Sequence, residues 1–137
     1  MITVKAGELH DIFASLKLLM DIRLPGDVSF HVGRLFHEVI KEVNIYERAR
    51  MGLIDQYGEK DKDGQLVMEN DAYKIKQRAK FNKEFEALQS IEVKLNITPV
   101  AIHIPNIEIE PLAMIALNLI ASNDDIFQKE QSNDQRK

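Results

Sequence analysis

Hydrophobic positions along the chain recur with two periods, and each period predicts a different kind of element. Ile2 and Val4 alternate with Thr3 and Lys5, the pattern of a short strand with one buried face. From Glu8 to about Arg23, Leu9, Ile12, Phe13, Leu16, Leu19 and Met20 return at three- and four-residue steps, which predicts an amphipathic helix. Leu24-Pro25-Gly26-Asp27 ends it, because Pro and Gly do not continue a helix cheaply. Val32, Val39, Tyr46 and Leu53 then lie seven apart, and Phe36, Val43 and Tyr57 form a second row offset by four. Leu35, Ile40 and Ile54 widen this stripe. The spacing predicts a helix from about Val28 to Tyr57, about 45 Å long at 1.5 Å per residue, with Gly58 as its stop. Arg50 interrupts the second row, so a perfect coiled-coil seam is not expected.

Glu59 to Asn70 reads as a polar loop turning at Lys62-Asp63-Gly64. Tyr73 and Ile75 alternate with Lys74 and Lys76, as a short strand or the start of a helix. Phe81, Phe85 and Leu88 predict a helix from about Gln77 to Gln89. Ile91, Val93, Leu95 and Ile97 form the clearest strand pattern, with all four expected on one buried face and Glu92 and Lys94 exposed. Val100, Ile102 and Ile104 predict a second strand, bounded by Pro105. Pro111 suits the first position of a short, apolar, buried helix carrying Leu112, Met114, Ile115, Leu117, Leu119 and Ile120. From Ser122 onward only Ile126 and Phe127 are apolar, which predicts a frayed or disordered tail over 122–137. The whole predicts a single α+β domain over 1–121: a long helix packed with two or three shorter helices beside a small β-sheet.

Composition narrows the chemistry. The 137 residues are 45% hydrophobic and 29% charged, ordinary for a globular chain that builds its own core. No cysteine is present, so thiolate metal sites, cysteine nucleophiles and disulfides are excluded. A formal charge of −4 offers no global attraction to nucleic acid or anionic lipid. The N-terminus has neither the basic region nor the apolar run of a signal peptide. The longest apolar stretch, Pro111 to Ala121, falls far short of the ~20 residues that span a bilayer. A cytoplasmic chain without a membrane partner is expected.

Candidate sites are few. Glu59, Asp61, Asp63 and Gly64 match positions of a calcium-binding loop, with Leu66 at its apolar eighth place. The twelfth place holds Asn70 where a bidentate Glu is required, so a charged, solvated turn is the better reading. His37-Glu38-Val39-Ile40-Lys41 approaches a zinc-binding helix motif, but Lys41 stands where the second His is needed. His10, His31, His37 and His103 show no ligand spacing, and no metal or cofactor is implied. Lys74, Lys76, Arg78, Lys80 and Lys83 form a basic run beside Tyr73, a small candidate nucleic-acid patch in an acidic protein. Ser15, Ser29, Ser90, Ser122 and Ser132 lie in no nucleophile elbow, and the glycines form no phosphate cradle. A catalytic residue is therefore not expected.

The order of features resembles a group of small uncharacterised proteins of tailed bacteriophages and prophages. The resemblance rests on Leu24-Pro25, the helix ending Tyr46-Glu47-Arg48-Ala49-Arg50, and the run from Tyr57 to Gly64. It continues through Phe81-Asn82-Lys83-Glu84-Phe85, Ile91-Glu92-Val93 and Glu110-Pro111-Leu112. It implies a phage accessory or assembly protein, in the host cytoplasm or virion-associated, and carries no activity and no functional residue. The expected function is a non-enzymatic protein–protein interaction module, joining virion assembly or inhibiting a host protein. A nucleic-acid-associated protein using the basic run is the alternative.

The long helix sharpens the first reading. The shorter helices cannot cover all of it, so part of its stripe, or the second face bearing Ile45 and Met51, is expected to stay open as an interface. A two-fold dimer through this helix is the simplest closed solution. Complete coverage by the sheet and the last helix would leave a monomer.

Overall fold

A computed structural model describes residues 1–127. In chain order, β1 (Ile2–Lys5) runs through a short 3-10 turn into α1 (Leu9–Met20), followed by α2 (Gly26–Tyr57). A hairpin of β2 (Met68–Glu69) and β3 (Ala72–Tyr73) leads to α3 (Arg78–Gln89), β4 (Glu92–Leu95) and α4 (Pro111–Ile120). The class is α+β, one long helix with three shorter ones and two small antiparallel sheets among the described residues.

β1 and β4 come from distant parts of the sequence and pair antiparallel, Ile2 with Leu95 and Val4 with Val93. Their alternation places these four side chains on one buried face. Under that face α1, α2 and α4 meet, with Leu16, Leu35, Val39, Leu95 and Leu117 fully shielded. Small residues let α1 and α4 approach closely. Ser15, wholly buried, donates its hydroxyl to the Ala113 carbonyl at 2.9 Å and accepts the Ala116 N–H at 2.9 Å. α4 buries only one face: Leu112 and Ile115 remain partly exposed, against the expectation of a buried helix.

α2 outruns this core. Its distal end enters a second, smaller cluster of Ile54, Tyr57 and Phe81, ringed by Leu66, Tyr73, Ile75 and Phe85. Phe81 meets Tyr57 edge-on, with centroids 6.1 Å apart, and stacks on Phe85. Gly58 ends α2 as expected, but with φ −73° and not through a left-handed cap. A Cβ there would stand 2.5 Å from both the Ile54 carbonyl oxygen and a Leu66 methyl, so close approach is what requires glycine.

Three expectations need correction. Ile91 is not buried with Val93, Leu95 and Ile97: it is 52% exposed. Its N–H is bonded to Leu88 at the end of α3, so it belongs to the turn before the strand. Val100, Ile102 and Ile104 form no regular strand, although Ile102 and Ile104 are buried. Val100 and Ile104 make isolated bridges to Ala121 and Phe127. Between those bridges the Asn123 side chain acts as the missing strand: its Oδ1 accepts the Ile102 N–H at 2.7 Å, and its Nδ2 donates to the Ile102 carbonyl at 2.9 Å. The chain over 122–127 is therefore docked, with Ile126 buried in the main core, where a frayed tail was expected. Residues 128–137, on which the rest of that expectation falls, lie outside the described residues.

Candidate protein-interaction surface

The flank of α2 between the two cores carries an open apolar surface. Ile45, Ala49 and Leu53 follow one another at four-residue steps and so share a helix face. Ala49 and Leu53 face Ala87 and Leu88 of α3, and Ile91 closes the end, forming a groove of about 450 Å³ with Glu84 as its polar member. Ile45 is 62% exposed one turn along the same face, so the apolar strip runs on past the groove. α3 leaves this side open because it turns Phe81 and Phe85 toward the distal cluster.

Of the two residues singled out from the sequence, Ile45 is open, whereas Met51 is half-buried and packs against the distal cluster. The hairpin and α3 give this end of the helix its own partners, on a different side from the main core.

The basic run divides. Lys74 is tied to Glu59 at 3.4 Å. Lys76 and Lys80 flank a shallow depression of about 310 Å³ with Gln56, Tyr57 and Gln77. Along α3, at 100° per residue, Lys80 and Lys83 lie within one turn on the same face, while Arg78 points away from both. The structure thus brings Lys76 and Lys80 together, with Lys83 beside Lys80, and leaves Lys74 and Arg78 apart.

The calcium-like loop is a hairpin. Lys60 bridges Leu66, and Asn70 and Asp71, both with positive φ, make the two-residue turn joining β2 to β3. Asp61 Oδ1 already accepts the N–H groups of Asp63 and Gln65, at 2.8 and 3.0 Å. A strand follows where a second helix would be needed. No group of three or more acidic or histidine side chains gathers as a metal cluster among the described residues.

Glu38, from the zinc-like motif, has a structural task. Its carboxylate accepts the Asn96 N–H at 3.2 Å and pairs with Lys41 at 3.3 Å. The Asn96 hydrogen bond, reinforced by Lys41, holds Glu38 below the usual carboxylate range despite partial burial. Glu47 is likewise lowered, first by Arg50, which it binds through Nε at 3.0 Å, and also by His10 at 2.5 Å. At the distal end the Tyr57 hydroxyl donates to Glu84, and this bond raises the phenol above its ordinary value.

Sequence reasoning missed Ser15, Asn123 and the exposure of Ile91. Ser15 left one signal: it sits on the stripe of Ile12, Leu16 and Leu19, where a polar residue must find a buried partner. Comparisons with protein-family models, with characterised proteins and with solved structures find nothing that matches this chain.

Proposed function

We propose that the chain is a non-enzymatic protein–protein interaction module whose working surface is the open flank of α2. The observation that carries this reading is the groove of Ala49, Leu53, Ala87, Leu88 and Ile91, continued by Ile45. Burying apolar surface of this kind supplies about 25 cal/mol per Å² removed from water, and concave apolar strips between helices suit a protein segment. The resemblance to small phage and prophage proteins supports an accessory, virion-assembly or host-inhibitor setting for that interaction.

A photo-crosslinking residue at position 49 tests the reading, with position 62 in the exposed loop as control. The experiment is run on the purified chain and in cells expressing it. An adduct of defined mass from position 49 alone, lost on Ile45→Glu with the helical spectrum unchanged, is the expected result. No adduct from position 49 in either setting would overturn the reading.

A further inference from the structure

The two-stranded sheet has a free edge beside this same flank. Among the described residues β4 is paired on one side only, to β1. The Ala6 N–H bonds the Ile91 carbonyl at 2.8 Å, and Val93 and Leu95 stand opposite Val4 and Ile2. The Ile91 carbonyl and the main chain of Val93 and Leu95 therefore turn toward β1. In an antiparallel ladder alternate residues face opposite edges, so Glu92, Lys94 and Asn96 present theirs outward. The Asn96 N–H is already taken by Glu38. Among the described residues, the main chain of Glu92 and Lys94 has no partner on that edge.

α2 passes beneath this side of the sheet, against its buried face. Glu38 reaches Asn96 at one end, and Ala49 shares the groove with Ile91 at the other. From residue 38 to 49 is about 17 Å along a helix; from 91 to 96 is about 17 Å along a strand. The spans match, so the helix runs under the strand in the opposite direction and leaves the edge open in the plane of the sheet. Ile45, about 10 Å from Glu38 along the helix, then stands level with Val93.

We propose that the partner is a second copy of this chain, and that two copies pair antiparallel through the outer edge of β4 in one register, with Val93 on the two-fold axis. The proposal rests on the reading of the α2 flank as an interaction surface and names its occupant. Side-chain charge selects the register. Outward-facing residues must pair with outward-facing residues. Pairing Lys94 with Lys94, or Glu92 with Glu92, sets like charges opposite one another, which is destabilising. Pairing Lys94 with Asn96 requires Glu38 to release the Asn96 N–H. Pairing Glu92 with Lys94 leaves Glu38 in place, exchanges main-chain hydrogen bonds twice over by symmetry, and sets opposite charges face to face on both sides of the axis. The same axis brings the exposed Ile45 of one copy toward the Ile45 of the other. A short charged edge commonly protects a sheet from pairing; here the alternation of sign makes the edge complementary to itself. The segment 128–137 is an unsuitable occupant of the apolar strip, since Gln-Lys-Glu-Gln-Ser-Asn-Asp-Gln-Arg-Lys contains no apolar side chain.

Sedimentation equilibrium of the full chain at micromolar concentration tests this. The wild type is expected at twice the 15.7 kDa chain mass. Glu92→Lys and Lys94→Glu are each expected to weaken self-association at least tenfold; at concentrations where both are monomeric Lys94→Glu keeps the wild-type thermal stability, while Glu92→Lys lowers it slightly because position 92 faces Lys5 across the β1–β4 pair. An equimolar mixture of the two variants is expected to recover the dimer as a heterodimer, and the double exchange Glu92→Lys/Lys94→Glu to recover it alone. A monomeric wild type, or single variants that associate as the wild type does, would overturn the self-pairing. In the monomeric case, a position-49 adduct to a different protein would leave the interaction reading standing, and no adduct would remove both.

Discussion

Around Leu16 and Leu117, three helices and a sheet enclose side chains wholly shielded from solvent; around Phe81, the end of α2, a hairpin and one helix bury only three hydrophobic side chains among the described residues. The proximal core is closed by elements distant in sequence: β1 pairs with β4, Ser15 joins α1 to α4, and Asn123 clamps Ile102. The distal cluster is built almost entirely from the chain between 51 and 85, held by aromatic packing and by Tyr57 on Glu84. α2 belongs to both. Where it passes from one to the other, its flank is only partly covered: Leu53 leans on the distal cluster and Leu88 on the proximal core, and there the groove and Ile45 lie open. Cooperative units of unequal stability are common within one fold, and here the proposed interaction surface sits at their junction.

The largest effect should come from the proximal core. Leu16 is 0% exposed, so Leu16→Asp places an unpaired carboxylate among apolar side chains. The cost is expected to be comparable with the whole stability of a domain, about 5–15 kcal/mol. Circular dichroism should show both regions unfolded, because the distal cluster is anchored on a helix that loses its base. A folded distal half in this variant would mean that the two regions are independent.

Phe81→Ala sharpens the comparison from the other side. Truncating a buried Phe costs about 3–5 kcal/mol where the surroundings cannot collapse. With so few buried neighbours, that loss is expected to open the distal region alone. Amide exchange should accelerate across the hairpin and α3, while α1 and α4 keep wild-type protection. Uniform acceleration through α1 would make the molecule one cooperative unit.

The contrast also governs what the sequence disclosed. Helical spacing placed Leu9, Ile12, Leu16 and Leu19, and Val32, Leu35, Val39 and Val43, correctly inside, because one contiguous face meets one core. Pro111 marked the start of α4 for a local reason. Ile45 was legible as apolar on the wrong side of the stripe. Met51 carried the same signal, yet it packs inward, since periodicity cannot reveal that a second cluster waits beyond the first. Ile126 looked isolated in a polar run, and Asn123 looked like part of a tail. Their roles depend on backbone from Val100 to Ile104, more than fifteen residues away, which no local pattern encodes. Ile91 continued a perfect alternation, but β1 ends at Lys5 and leaves it no partner strand. The free edge of β4 was invisible for the same reason: which edge is open depends on which strand pairs.

The smallest effects are expected at opposite ends of the pH scale. In the proximal region Glu38 and Glu47 ionise more readily when folded than at their ordinary 4.5. Their stabilisation is present above that value and is lost as pH falls through the lowered, folded one. In the distal region Tyr57 is raised from 10.0, because ionising it would break its bond to Glu84 and set two negative groups together. Its contribution is present below 10.0 and disappears as pH rises through the folded value. Alkali above pH 10.0 should therefore loosen α3 while leaving α1 and α4 untouched, and acid below pH 4.5 should weaken the ties of α2 to α1 and to Asn96 at the end of β4. Tyrosinate absorbance of the wild type, less that of Tyr57→Phe, isolates this phenol from Tyr46 and Tyr73. It should titrate above its ordinary value, and amide exchange in α3 should quicken over the same interval in the wild type but not in the variant. A Tyr57 that titrates at or below 10.0 would remove the Glu84 bond from the account of the distal region and leave aromatic packing alone to hold it.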